Sequence, residues 1–230
     1  LLDHIAHHLA RRKTLAGVNI TVTAGPTQEA LDPVRYLTNH STGRMGYAIA
    51  REAMLRGANV TLVSGPTELG TVPFVDHRPV TSAGDMFRAI QDLLPQTDIL
   101  IKAAAVADYR PANVAEDKMK KKDGEMSILL ERTQDILSWL GAHRMAGQRL
   151  CGFSMETRDV LENSRAKLSK KNVDMICANC LKEDGAGFGT PTNHLTLISR
   201  ERTVDLPLME KLDAADRVLD ELFSIEPKGE

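Results

Sequence analysis

Residues 19–66 read NITVTAGPTQEALDPVRYLTNHSTGRMGYAIAREAMLRGANVTLVSGP, and the fold turns on how this stretch is parsed. NITVTA, residues 19–24, has the apolar, β-branched make-up of a buried strand and stops at Gly25-Pro26. Residues 43–56 place Met45, Ala48, Ile49 and Ala53 near helical spacing, with Gly57 as a natural stop. ANVTLVSGP, residues 58–66, is a second strand with its own Gly-Pro ending. The result is strand, helix, strand, with a long polar connection before the helix.

The same alternation continues. SAGDMFRAIQDLL (82–94) carries the marks of a capped helix, with Ser82 or Asp85 near its start. DILIKAAAVADYR (98–110) is an apolar strand running into a turn before Pro111. Strand MSILLERT (126–133), helix DILSWLGAHR (135–144), strand RLCGFSM (149–155) and helix VLENSRAKLSKKN (160–172) follow. The chain closes with strands VDMICAN (173–179) and NHLTLISR (193–200) and a helix through MEKLDAADRVLDELF (209–223). Strands alternating with helices of this length predict an α/β, Rossmann-like, doubly wound and mainly parallel sheet with helices on both faces. The strand pair around 174–199 is expected at an edge. Residues 1–17 are expected to be a tail or linker outside the core, and EDKMKKKDGE (116–125) a mobile loop.

A chain of 230 residues with 42% hydrophobic and 26% charged residues is ordinary for a globular protein. Its net charge of −2 provides no basic field for nonspecific nucleic-acid binding. No apolar run reaches the roughly 18 residues of a membrane span. The N-terminal LLDHIAHHLARRKTLAG lacks the order of a signal peptide, and three cysteines are too few for a disulfide scaffold. The expected setting is the cytoplasm.

LTNHSTGRMG, residues 37–46, lies where the chain enters the first helix of that repeat. The first N–H groups of a helix lack internal partners, and its dipole favours negative charge. Gly43 and Gly46 admit close approach of backbone to a ligand, while Asn39, Ser41 and Thr42 add donors. The segment suits a phosphate, or else Ser41 or Thr42 caps the helix and Gly46 packs against a neighbour. G-x-G-x-x-G is absent and no Gly-Lys-Ser/Thr follows, so neither the dinucleotide fingerprint nor a Walker loop is present. A connection as long as GPTQEALDPVRYLTNHS inside a compact domain is functional or disordered, and Pro26, Pro33, Tyr36 and Leu37 favour order.

GPTQEALDPVRYLTNHSTGRMG, AAAVADYRP, KMKKK and DMICAN, in this order and spacing, resemble phosphopantothenoylcysteine synthetase over roughly residues 18–225. In most bacteria that activity forms the C-terminal half of a bifunctional coenzyme A biosynthesis protein. The tail would then be the connector from a decarboxylase half. The resemblance implies a ligase joining 4′-phosphopantothenate and L-cysteine. Bacterial members use CTP, with Mg²⁺, through an acyl-cytidylate; eukaryotic members generally use ATP. It also implies a homodimer, with the region from Phe153 through the late strands as a plausible contact. Such chemistry rests on positioning and charge stabilisation, so no nucleophilic triad is required.

The resemblance carries over residue by residue. Asn39 becomes the leading catalytic candidate at the acyl intermediate, or by its bland reading an Asx-turn residue. Arg35 matches an arginine near the substrate side, though alone it reads equally as an ion-pair partner. Ser41, Gly43 and Gly46 match nucleotide-phosphate positions. Ala104, Ala105 and Asp108 match substrate contacts, and Ala104 and Asp108 also nucleotide contacts. Lys118 matches a triphosphate lysine in a flap of about residues 111–125, where Lys120 and Lys121 accompany it. Lys167 and Lys171 share a helix face at the border of a stripe containing Leu161 and Leu168, and match a CTP-contacting pair. Phe153 and Asn179 match nucleotide contacts. No protein ligand for Mg²⁺ is expected, since phosphates and water hold it. Cys177-x-x-Cys180 lacks a second ligand pair, which counts against a zinc site. A pyridine-nucleotide oxidoreductase and a non-catalytic nucleotide-binding module are the rival classes. A thermal shift with CTP and Mg²⁺ against NAD(P)H separates the first rival, and absence of pyrophosphate release the second.

Overall fold

The computed structural model describes residues 2–121, 124–156, 159–180 and 185–226. In chain order the main elements are α1 (Leu2–Leu9), β1 (Asn19–Ala24), α2 (Arg44–Leu55), β2 (Asn59–Ser64), β3 (Asp76–Pro79), α3 (Ala83–Leu93) and β4 (Ile99–Lys102). They continue with α4 (Ile136–His143), β5 (Arg149–Glu156), α5 (Val160–Lys170), β6 (Met175–Cys180), β7 (Leu195–Ser199), β8 (Thr203–Asp205) and α6 (Lys211–Ser224). The eight strands form one sheet in the order β3-β2-β1-β4-β5-β6-β7-β8. The first six are parallel, and β7 and β8 add an antiparallel edge. This is the strand order of a doubly wound dinucleotide-type fold, with its topological switch between β1 and β4.

Burial on both faces follows from strand alternation. Along β4, Ile99 and Ile101 join a cluster with Ile49 and Ala53 of α2 and Val218 and Leu222 of α6. Leu100 between them points the other way, to Met86 and Ile90 of α3, Leu140 of α4 and Leu168 of α5. Fully burying one such side chain contributes about 1.5–3 kcal/mol. The expected capping box on α3 is present: Asp85 N donates to Ser82 Oγ at 3.1 Å, and Ser82 N to Asp85 Oδ2 at 2.9 Å.

Several boundaries differ from the sequence reading. The 98–110 strand ends at Lys102, and MSILLERT contracts to Leu130–Arg132, exposed and paired with Tyr109–Pro111. β6 belongs to the parallel sheet; the antiparallel edge is β7 with β8, the latter too short and polar to be seen as a strand. Asp-His-Arg-Pro of β3 was equally invisible, because an edge strand there has little to bury. Leu161 is 50% exposed, so the stripe of α5 runs through Ser164 and Leu168 instead. The Ser154 and Ser164 hydroxyls meet at 2.9 Å beneath it.

The N-terminal segment is more engaged than a tail. Leu15 is 1% exposed and its N–H donates to Arg56 O at 3.0 Å. Arg11 Nε donates to the fully buried Glu52 at 2.8 Å. Arg56, at the end of α2, also donates to Asp220 of α6 at 2.8 Å and pairs with Asp216, fastening the two helices of that face together. Burial and the neighbouring Asp216 push the Glu52 carboxyl above the ordinary carboxylate range, although Arg11 opposes the shift. Among the described residues no helix is long and apolar enough to cross a membrane.

Candidate active site at the switch point

The connections leaving β1 and β4 run side by side over the sheet edge. Pro26 bridges to Ala105, Ala105 N donates to Gly25 O at 3.0 Å, and Thr27 N to Ala105 O at 3.3 Å. Thr27 Oγ1 accepts from Ala107 N at 3.0 Å, and Thr23 Oγ1 from Ala104 N at 3.1 Å. The long 25–43 connection is ordered, as its prolines suggested. It folds as an antiparallel ribbon, Gln28–Ala30 against Tyr36–Thr38, and returns Asn39 to the edge. There Asn39 Nδ2 donates to Ala105 O at 3.0 Å.

Gly43 sits at the N-cap of α2 with φ 78, and no side chain caps the helix. Among the described residues Ser41 Oγ accepts only from Gly43 N, at 3.3 Å. The first free N–H groups of α2 therefore remain for an anion. The packing reading of Gly46 also holds: a Cβ there would lie 2.6 Å from Ala24 Cβ and 2.9 Å from Thr23 O. One glycine lets the helix start close to the strand; the other sets its first turn.

A cavity of about 410 Å³ opens over this edge. Asn39, Ser41, Gly43, Gly46, Ala104, Ala105, Asp108, Phe153, Lys167 and Asn179 all line it, ten residues singled out from sequence and brought together by the fold. An adjoining cavity of about 240 Å³ is bounded by Thr133–Leu137 at the start of α4, and shares Asp108, Phe153 and Lys167 with the first. A third cavity, about 420 Å³, lies on the outer flank of α2 and holds none of the expected residues.

Three expected residues are placed elsewhere. Lys171 is outside the main cavity: its ammonium donates to Ser138 Oγ at 2.9 Å and pairs with Asp135, the N-cap of α4, in the adjoining one. Arg35 is committed to Asp32, its Nε donating to Oδ2 at 3.0 Å, and to Met119 O at 2.9 Å. Asp32 in turn accepts from Val34 N, Arg35 N and Met119 N. These donors, the Arg35 guanidinium foremost, hold its carboxyl well below the usual carboxylate range. Lys118, Lys120 and Lys121 are exposed in the 111–121 segment, which Met119 and Ala115 tie to the Leu31–Arg35 turn. Lys118 does not line the cavity, and Lys122 and Asp123 lie outside the described residues.

Sequence reasoning passed over Lys102, Asp135 and Asn193. Lys102 ends β4 and lines both cavities; burial and Lys167 push it down to about 8. A lysine closing the apolar run ILI was the available signal. Cys177 is fully buried with its Sγ 3.6 Å from Cys151, and burial pushes its thiol up. The side chain of Cys180 lies outside the described residues. Among the described residues no group of three His, Cys, Asp or Glu is placed to hold a metal ion.

A family profile described as the DNA/pantothenate metabolism flavoprotein C-terminal domain matches residues 15–225. The chain belongs to that family. The matched span begins at Leu15, the buried residue of the N-terminal segment. The chain is 46% identical over 216 residues to the coenzyme A biosynthesis bifunctional protein CoaBC of Bacillus subtilis (strain 168), covering 92% of this chain and 52% of that protein. It thus spans about half the length of the curated relatives it matches. The crystal structure of a C-terminal domain of CoaBC superposes with a TM-score of 0.77 at 42% identity, over 90% of this chain and 94% of that one. A mutant of Cab2 in complex with phosphopantothenate-cysteine shares the fold alone, with a TM-score of 0.74 at 15% identity over 97% and 91% of the two chains. The expected Rossmann-like sheet is therefore the family's own.

Proposed function

We propose that this family member is a phosphopantothenate–cysteine ligase unit, activating the 4′-phosphopantothenate carboxylate with CTP and passing the acyl group to L-cysteine. The observation that carries the reading is the meeting of an uncapped helix N-terminus, Asn39 and the cations Lys102 and Lys167 around one cavity. CoaBC relatives and a Cab2 structure holding phosphopantothenate-cysteine support it.

A carboxylate oxygen attacks the α-phosphorus of CTP and pyrophosphate leaves. The cysteine amine then attacks the acyl carbon, CMP departs with the bonding pair, and the amine gives up a proton. Each step transfers negative charge onto oxygen. The N–H groups of α2, Lys102 and Lys167 stabilise phosphate charge, and Asn39, held by Ala105, presents a neutral amide to the acyl group. Mg²⁺ bound to the nucleotide supplies further charge neutralisation. Among the described residues Asp108 is the single carboxylate lining the main cavity, which fits a metal held chiefly by phosphates and water.

Lys118 and its neighbours serve this reading as a flap rather than a wall, with the Asp32–Arg35 turn as its anchor. A homodimer fits the surface. Tyr36, Tyr109, Met126, Leu129 and Leu130 are all exposed, on the two short ribbons and the segment between them, whereas β6 and β7 are buried. The dimer contact is thus better placed there than along the late strands.

The test is steady-state pyrophosphate release with Mg²⁺ and 4′-phosphopantothenate, with CTP or ATP, with and without cysteine. Cysteine-dependent turnover preferring CTP is expected. Absence of turnover with both nucleotides overturns the ligase reading.

A further inference from the structure

Among the described residues three buried side-chain oxygens lack a hydrogen-bonding partner: Glu52 Oε2, Asn179 Oδ1 and Asn193 Oδ1. Two of the three belong to the wall of the main cavity. A buried carboxamide oxygen has given up water, and a cavity wall is where its replacement partner arrives with a ligand. Asn179 is already among the nucleotide-side candidates; Asn193 is not.

Asn193 is 3% exposed and stands on the short ribbon Thr192–Asn193 with Met209–Glu210. Among the described residues its Nδ2 meets Met45 Sδ alone, at 3.8 Å, a weak acceptor. Met45 is the second residue of α2, so the unspent carboxamide lies beside the anion-binding turn. The ribbon is fastened from below by Lys211. Its ammonium donates to the carbonyls of Thr190 and Thr192, both at 2.6 Å, and of Gly187 at 3.2 Å. Thr192 immediately precedes Asn193, so this cage fixes the backbone that aims it.

We propose that Asn193 Oδ1 accepts a hydrogen bond from an N–H or O–H group of the ligand whose phosphate rests on the α2 N-terminus or of its co-substrate, and that Lys211 positions it. The inference rests on the nucleotide reading above. Two ligand groups have this donor chemistry: a ribose hydroxyl of the nucleotide and the α-ammonium of cysteine.

The experiment compares wild type, Asn193→Ala, Lys211→Met and the double variant, reading CTP affinity by calorimetry and cysteine KM by turnover. A tenfold or larger weakening of CTP binding by Asn193→Ala, with cysteine KM unchanged, assigns the ribose. A tenfold or larger rise in cysteine KM, with CTP affinity unchanged, assigns the ammonium. In either case Lys211→Met moves the same quantity, and the double variant is no worse than the worse single one. Unchanged values for both quantities overturn the proposal while a turning-over wild type leaves the ligase reading standing. If wild type binds CTP but does not turn over, the ligase reading fails and the affinity arm alone judges Asn193. Because a variant can also fail to fold, the Asn193 side-chain amide resonances of wild type are followed by NMR. They shift on adding CTP or cysteine if the contact exists, and stillness with both overturns it.

Discussion

Asn39 Nδ2 lies 3.0 Å from the carbonyl oxygen of Ala105, joining the loop after β1 to the loop after β4 across the switch point. The two loops belong to strands that are neighbours in space but separated in sequence by two whole strands, β2 and β3. A single amide therefore reports whether both halves of the site are in register. Because one amide hydrogen is spent on Ala105, the orientation of the remaining polar edge is fixed before any substrate arrives.

Asn39→Ala should therefore act on the chemistry and hardly on the fold. The residue is exposed, so its loss is expected to change stability by no more than about 0.5 kcal/mol. Loss of one positioned donor to a developing oxyanion costs roughly 10²–10³ in kcat. Turnover and a denaturation midpoint, measured on the same preparation, check this; a matched loss of both would assign Asn39 to structure.

Gly46→Ala is expected to do the reverse. Its Cβ would lie 2.6 Å from Ala24 Cβ, and neither helix nor strand has room to yield without moving the first turn of α2. Overpacking of this kind costs about 1–3 kcal/mol. Urea unfolding measures it. A variant as stable as wild type would mean that α2 packs less closely on β1 than described.

Lys102 predicts a pH dependence for anion binding. Burial and Lys167 lower it to about 8, so it is charged below that pH and neutral above it. A bound phosphate favours the charged form, so affinity should fall as pH rises through about 8, and binding above it should take up a proton. One pKa unit of coupling is about 1.4 kcal/mol, or tenfold in affinity. Calorimetry of CTP at pH 7 and 9, in buffers of different ionisation enthalpy, reads both effects. Lys211 also titrates near 8 in this cavity, so Lys102→Met is expected to flatten the profile in part, and the residual slope belongs to Lys211.

Asp32 predicts how the 111–121 segment is held. Its depressed pKa means that it stabilises this turn above the ordinary carboxylate range, and that the contribution disappears as pH falls through its folded-state value. Asp32→Asn mimics the neutral form at neutral pH. Hydrogen exchange at the Met119 amide, now bonded to Asp32 at 3.1 Å, should accelerate, while amides of β1 and β4 keep their protection. Unchanged exchange at Met119 would remove the anchor from the account.

The parallel sheet was legible because its strands bury both faces and therefore read as apolar runs: Ile20, Val22, Leu100, Ile101 and Ile176 announce themselves. β3 and β8 were illegible for the converse reason, being short, polar and at the edges. Exposed apolar residues misled in the other direction. Ile128, Leu129 and Leu130 look like a buried strand and instead cover a surface ribbon, and Leu161 faces solvent. In the site, Asn39, Ser41, Gly43 and Gly46 carried a local signal, donors and glycines ahead of a helix, whereas Ala104, Ala105, Asp108, Phe153, Lys167 and Asn179 were singled out only through the family resemblance. Lys171 lines the adjoining cavity with Lys167; helix periodicity gives the face the two share, but not the pairing with Asp135 on another element. Asn193 had no local signal at all. The role proposed for it rests on an unpaired oxygen that is visible only once Met45 and the Lys211 cage are in place.

The central claim is that this cavity makes an acyl-nucleotide. It is tested most directly by a single turnover: protein with CTP, Mg²⁺ and 4′-phosphopantothenate, without cysteine, quenched and assayed for pyrophosphate. A burst stoichiometric with the protein, leaving an acyl-cytidylate that a chase of cysteine converts to 4′-phosphopantothenoylcysteine, is the predicted result. Pyrophosphate release that ignores 4′-phosphopantothenate, or no release with either CTP or ATP, would contradict it.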